Sequence, residues 1–188
     1  GVTAPGRYSL FFALLPPPEL AERIAGDAAG WRSSLGLTGR AMEAERLHLT
    51  LLWVAPEASP ATTKAMQAVA ARVHMAPADV RLDRLGRFER RAGRPGPVVL
   101  LSSDPSALPD LLALQDRLQD EVLAAGFPAR VLPHYQPHMT LLHDRRPVPI
   151  QSVGPYAWTA SEFVLVRSHI GLRHYDILGR WPLHTAAA

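Results

Sequence analysis

The sequence predicts an α+β fold in which two pseudo-symmetric lobes, built on antiparallel or mixed sheets, line a central cleft and carry helices on their outer faces. Three observations predict it. Segments of strand period and of helix period alternate along the 188 residues, a length of about one domain. Several strand-like segments are joined by connections too short for a parallel crossover, which favours antiparallel pairing. Finally, a pentapeptide occurs twice, as HLTLL from His48 and HMTLL from His138, 90 positions apart and close to half the chain. That is the spacing expected of two related lobes contributing one copy each. We therefore expect a single bilobal domain over residues 1–188.

Tyr8–Leu15 is aromatic and apolar, lies between Gly6 and three prolines, and reads as a buried strand. Leu20, Ile24, Ala28, Trp31 and Leu35 then fall on one stripe at helical spacing, with Pro18 suited to the first turn. Trp31 on that stripe is expected in the core. Arg46–Val54 reads as a second strand. Ser59 is a candidate N-cap before Pro60, opening a helix with Met66, Val69, Ala70 and Val73 turned inward. Val80–Glu89 and Pro97–Ser103 read as strands flanking the basic turn RRAGRPGP, expected to be a mobile hairpin loop. Asp104-Pro105 repeats the cap-then-proline signal and predicts the start of a helix carrying Leu108, Leu111, Leu112, Leu118 and Val122, with Gly126 at its C-terminal end. Tyr135–Leu142 is a strand, Arg145–Pro155 a proline-broken loop, Glu162–Gly171 a strand, and Asp176–Leu183 a short final strand that can pair with it.

Composition narrows the chemistry. The chain has no cysteine, which excludes disulfides, thiolate catalysis, iron–sulfur clusters and every cysteine-containing zinc motif. It also favours the cytoplasm. No apolar run reaches the roughly 18–20 residues of a membrane-spanning helix, and the mean hydropathy of −0.01 matches a globular chain. The first residues carry no basic region followed by a long apolar segment, so no signal peptide is expected. Of the 20 basic residues only Lys64 is lysine. Arginine suits bidentate phosphate contacts, although an Ala-, Arg- and Pro-rich composition also follows from a G+C-rich gene. The sequence pI of about 9.8 permits a nucleic-acid partner without requiring one. No G-x-S-x-G, Walker loop or G-x-G-x-x-G is present.

The repeated pentapeptide is the informative feature. With eight His, eight Thr and 27 Leu in the chain, roughly 0.003 chance matches to His-apolar-Thr-Leu-Leu are expected. On a strand, residues i and i+2 share a face. His48 and Thr50 thus point one way and Leu47, Leu49 and Leu51 the other; His138 and Thr140 likewise oppose Pro137, Met139 and Leu141. The apolar faces need helices to pack on, and the His/Thr faces need something polar, for which the cleft between lobes is the simplest answer. Two imidazoles and two hydroxyls around one cavity can perform in-line phosphoryl displacement without a metal. A neutral His accepts a proton, a protonated one donates, and the threonines donate to anionic oxygens. A strained cyclic phosphodiester is the natural target. Neither copy has a second His or a carboxylate at i+2 or i+4, so no metal site and no cofactor is expected there.

At these residues the sequence resembles the two-histidine (2H) phosphoesterase superfamily, and within it the bacterial RNA 2',3'-cyclic phosphodiesterases, also named 2'-5' RNA ligases. The resemblance runs through RYSLFFALLPPPEL, RLHLTLLWV, LGRFERR with PVVLLSS, YQPHMTLLHD, EFVLVRSHIGLRHY and RWPL. It implies a bilobal α+β fold and metal-independent hydrolysis of RNA 2',3'-cyclic phosphate ends to 2'-phosphates, with reversible 2'-5' joining. Carried over, His48 is the acid for the leaving 3'-oxygen, His138 the base for water, and Thr50 and Thr140 the holders of the non-bridging oxygens. The family's first strand offers an aromatic to the cleft, which makes Phe11, on the face of Ser9 and Ala13, the candidate for stacking on the terminal base. Three departures stand out. The family often has Arg where this chain has His143, leaving His143 and Arg146 as candidates for the phosphate contact beside Arg145. Trp53 and Ala55 replace the more usual Phe and Gly. Gly96-Pro97 replaces a basic residue. The partners expected are RNA with 2',3'-cyclic phosphate ends or small cyclic nucleotides, including ADP-ribose cyclic phosphate, acted on by a cytoplasmic monomer without a membrane. A non-catalytic RNA-binding module is the alternative of another class. His74, His134, His143, His169, His174 and His184 show no paired spacing and are expected to be structural or solvated, with His134 and His143 nearest the cleft mouth.

Overall fold

The computed structural model describes residues 8–55, 59–129, 131, 133–169 and 171–185. Eight strands form one sheet: β1 (Tyr8–Leu14), β2 (Leu49–Ala55), β3 (Ala78–Arg87), β4 (Gly96–Leu101), β5 (His138–Asp144), β6 (Gln151–Ala160), β7 (Glu162–His169) and β8 (His174–Pro182). Three helices, α1 (Pro18–Ser34), α2 (Pro60–Ala71) and α3 (Pro109–Ala124), lie between β1 and β2, β2 and β3, and β4 and β5. The strand order is β6-β3-β4-β5-β2-β1-β7-β8, and every neighbouring pair is antiparallel. The choice between antiparallel and mixed sheets is thereby resolved.

The two lobes are the two four-stranded halves of this sheet. They meet at the seam between β2 and β5, where a single residue pair, Leu49 opposite Met139, is joined. Each half contains the same unit, a strand, a helix and a returning antiparallel neighbour: β1-α1-β2 in one and β4-α3-β5 in the other. Away from the paired residue the seam strands leave backbone groups free, and a buried unpaired carbonyl is costly. Other segments supply the missing donors. The Met42 amide donates to the Leu141 carbonyl at 2.9 Å, and the Tyr135 hydroxyl donates to the Thr50 carbonyl at 2.6 Å. The loop carrying Met42 is pinned by buried Asp144, whose Oδ2 accepts from the amides of Thr38 and Gly39 at 2.7 and 2.8 Å. Gly39 packs so closely on β5 that any Cβ there would collide with the His143 carbonyl.

The helices all pack on one face, and alternation explains which. Leu10, Phe12 and Leu14 of β1, Leu49 and Leu51 of β2, and Met139 and Leu141 of β5 join Ile24, Met66, Leu111, Leu114, Leu118 and Val122 in the main core. Full burial of each such side chain is worth about 1.5–3 kcal/mol. The opposite face carries a small apolar cluster of Phe11, Ala13, Val164 and Val166. Trp31 is partly buried against the main core, edge-on to Tyr156, and Ser59 caps α2 by accepting the Thr62 amide at 3.0 Å.

Three sequence expectations are corrected. Asp104-Pro105 opens a single 3-10 turn, Pro105–Ala107, and α3 starts only at Pro109. Residues 145–155 are not loop throughout, because β6 begins at Gln151 and runs through Pro155. Proline is tolerated there because β6 is an edge strand, paired only with β3, whose register slips between Leu82 and Arg84. The last strand also begins earlier, at His174, and pairs with β7 as expected. Gly126, with φ +84°, ends α3 through bonds from its own amide to Leu123 and from Phe127 to Val122.

Candidate active site

His48 is the residue before β2 and His138 the first of β5. Since Leu49 lies opposite Met139, one step in either direction sets His48 across from Thr140 and Thr50 across from His138. The two motifs are thus interleaved head to tail on the face opposite the helices, and the imidazoles lie on the diagonal. In a regular antiparallel pair that diagonal spans about 7–8 Å, enough for one phosphate between the rings.

Both rings are held alike. His48 Nδ1 is 2.8 Å from the Arg46 carbonyl, and His138 Nδ1 is 2.8 Å from the Gln136 carbonyl. A carbonyl only accepts, so each Nδ1 carries the proton and each Nε2 keeps a lone pair for chemistry. Electrostatics then separates them. His48 is nearly buried, at 9% exposure, against Phe11 at 4.9 Å and the edge of Tyr175 at 5.3 Å. Burial is the main reason its pKa falls to about 4; the charges of Arg46 and His138 add to the fall, while the bond to Arg46 opposes it. His138, edge-on to Phe88 at 4.8 Å, is half-buried. Its pKa is also lowered, by burial first and by the Arg90 guanidinium second.

Thr50 and His138 line a small cavity with Trp53 and Tyr135; Trp53 also lines a groove of about 560 Å³, within the usual size range of small-molecule sites, whose lining includes none of the four motif residues. Its wall includes Arg40, Arg46, Arg173, His143 and Trp53. Arg46 holds His48 through its carbonyl, lays its guanidinium over the Tyr175 ring at 4.5 Å, and keeps a buried Nε with no partner among the described residues. A second basic recess, lined by Arg90, Arg91 and Arg94, is formed by the turn between β3 and β4.

The structure brings His48, His138, Thr50 and Thr140 to one seam, and His143 to the groove. Phe11 shares the expected face but is fully buried. Its cross-strand partner Trp53 covers it at 4.5 Å, so Phe11 is a floor under Trp53 and His48 and not a surface for a base. Trp53, 45% exposed, is the aromatic that the groove presents. Arg146 does not line the groove; its guanidinium lies against Gly36, just beyond α1. Arg40, Arg46 and Arg173 supply the groove's cations instead. The signal for Arg46 was its position two before His48, on the motif's own parity. His134 lines a different recess against α3, with Tyr135 and Gln136. His169 and His174, expected to be unpaired, face each other.

The sequence model of the 2'-5' RNA ligase superfamily matches residues 16–176. Among solved structures, the chain is similar to Escherichia coli LigT complexed with 3'-AMP, with 29% identity, a TM-score of 0.77 and coverage of 95% of this chain and 99% of that one. The complex of the same protein with phosphate gives 27% identity, a TM-score of 0.74 and coverage of 96% and 100%. A structure described as a phosphoesterase gives 28%, 0.75, and coverage of 97% and 100%. No curated protein matches the sequence.

Proposed function

Because the chain belongs to the 2'-5' RNA ligase superfamily of two-histidine phosphoesterases, we propose that it hydrolyses RNA 2',3'-cyclic phosphate ends to 2'-phosphomonoesters, with 2'-5' joining as the same displacement in which a 5'-hydroxyl replaces water. The observation that carries this reading is the matched pair of Nδ1–carbonyl bonds, which leaves two Nε2 atoms for one proton acceptance and one proton donation. In the forward step His138 takes a proton from water, whose oxygen forms the new bond to phosphorus. The bond from phosphorus to the 3'-oxygen breaks, and His48 protonates that oxygen. Thr50 and Thr140 donate to the non-bridging oxygens. Charge balance comes from the substrate. Both imidazoles are neutral in the free protein near pH 7, and a phosphodiester anion between them raises the pKa of each, so that the pair holds one proton.

Trp53 stacks on the terminal base, and Arg46 contacts its phosphate. The Arg90–Arg94 recess on the His138 side supports RNA as the substrate, since cations flank the histidine pair on two sides. A second reading, a small cyclic nucleotide or ADP-ribose cyclic phosphate, is favoured by a groove sized for one nucleotide. The enzyme acts as a monomer in the cytoplasm, in keeping with a chain free of cysteine and, among the described residues, without a helix long and apolar enough to cross a membrane.

The test is to incubate chelator-treated protein with a cyclic-ended oligoribonucleotide and with 2',3'-cyclic mononucleotides. A 2'-phosphate product, formed faster on the oligonucleotide, is expected. A 3'-phosphate product, or activity that appears only on adding a metal, would refute the reaction as written; preference for mononucleotides would shift the substrate to the second reading.

A further inference from the structure

The β7–β8 hairpin assembles a cluster that sequence spacing did not connect. His169 ends β7, His174 opens β8, and the antiparallel register places them directly opposite, with ring centroids 4.9 Å apart. Asp176 lies two residues further on. His169 Nε2 is 2.7 Å from Asp176 Oδ2, and His174 Nε2 is 2.9 Å from Oδ1. One ligand atom from each of the three lies within 4.8 Å of the others. Tyr8 packs edge-on against the His169 ring at 4.5 Å and restrains it.

We propose that His169, His174 and Asp176 form a binding site for a divalent transition metal at the rim of the groove. Two imidazole nitrogens and one carboxylate oxygen are the donor set of zinc and of its neighbours cobalt, nickel and copper, and they do not suit magnesium or calcium. Around a tetrahedral zinc at about 2.0–2.1 Å, ligand atoms stand roughly 3.3 Å apart. Drawing one ligand atom from each residue, now within 4.8 Å of one another, to that spacing admits the ion, with the fourth position left to water.

Arg167 already balances Asp176, donating to Oδ2 from Nε at 3.2 Å and from Nη2 at 2.9 Å. Each imidazole now donates from Nε2 to that carboxylate, and a metal ion would take the place of those two protons between the same ligand atoms. With Oδ1 on the metal, Arg167 stays on Oδ2 and orients the carboxylate, as outer partners of metal ligands do. His169 lines the groove along with Gly171 and Arg173, so the ion sits at the groove's rim.

The experiment is a titration of metal-free, full-length protein with Co²⁺, read by visible d–d absorption, and with Zn²⁺, read by calorimetry. Wild type, His174→Ala, Asp176→Asn and the double variant His48→Ala/His138→Ala are compared. One equivalent should bind in the micromolar range, excess Mg²⁺ should not compete, and affinity should fall at least tenfold in His174→Ala and in Asp176→Asn. The active-site double variant should bind as wild type does. Because His174 is exposed, its alanine variant keeps the fold, which the melting curve verifies. Unchanged binding in His174→Ala, binding lost only in the active-site double variant, or no saturation below millimolar metal would overturn the site. None of these readouts depends on turnover.

Discussion

His48 and His138 make the same bond at the same length to the carbonyl two residues earlier, and yet their rings sit in different surroundings. His48 is packed among Phe11, Tyr175 and the Arg46 guanidinium. His138 meets one aromatic edge and the field of Arg90. The backbone arrangement belongs to the repeated motif, whereas the environment belongs to the half-sheet around it. The lesson is that two copies of one motif become chemically different without a change in their own residues, because burial alone shifts proton affinity.

The largest effect expected is on the pair as a unit. His48→Ala and His138→Ala should each lower kcat by roughly 10³-fold or more, and the double variant should be little worse than either. Steady-state rates on a cyclic-ended oligonucleotide measure this; additive losses would break the pair into two independent contributors.

Stability sharpens the comparison from the other direction. The His48 pKa is about 4 when folded and 6.5 when unfolded. Between those values the unfolded chain binds the proton that the folded one refuses, so stability is complete above about pH 6.5 and falls as pH drops toward 4. The loss should approach about 3 kcal/mol, and His48→Gln should remove most of it. Urea unfolding at pH 7 and pH 4.5 tests this, and a loss identical in His48→Gln would assign the acid sensitivity elsewhere.

Activity should respond to the same asymmetry. With both imidazoles lowered in the free protein, the bell-shaped profile of kcat/KM should peak below pH 6.5, and that of kcat at higher pH, because bound phosphate raises both groups. Coincident maxima would mean that the substrate does not supply the balancing charge.

Smaller effects separate the supporting residues. Thr50→Val and Thr140→Val should each cost about 10²-fold in kcat. Trp53→Ala should raise KM by about tenfold with kcat nearly constant, as loss of one base stack implies, and Trp53→Phe should restore it. A fall in kcat alone for Trp53→Ala would make this residue a support for Phe11 and His48 instead.

How much of this was legible in the sequence depends on the kind of contact. Strand parity placed the His/Thr and Leu/Met faces on opposite sides, and both faces are where parity put them. Parity also put Phe11 on the correct face, but it cannot say what lies above, and the covering residue, Trp53, comes from a neighbouring strand. The edge strand β6 was hidden by Pro149 and Pro155, which read as breakers unless the strand is known to be an edge. His169 and His174 are five positions apart, a spacing with no helical or strand meaning, and only the hairpin register brings them face to face. Arg146 followed from proximity in sequence to the second motif, whereas the turn after β5 carries its guanidinium to α1.

The seam held by Leu49 and Met139 has a mechanical consequence. A joint of one residue pair is held by fewer strand-to-strand bonds than the six-residue ladder between β4 and β5, so the angle between the two four-stranded plates rests largely on the bonds that Met42 and Tyr135 make across the seam. That angle is also the coordinate that sets the separation of the two imidazoles. α3, in contact with β2 on one plate and β3 on the other, spans the seam from the far side of the sheet.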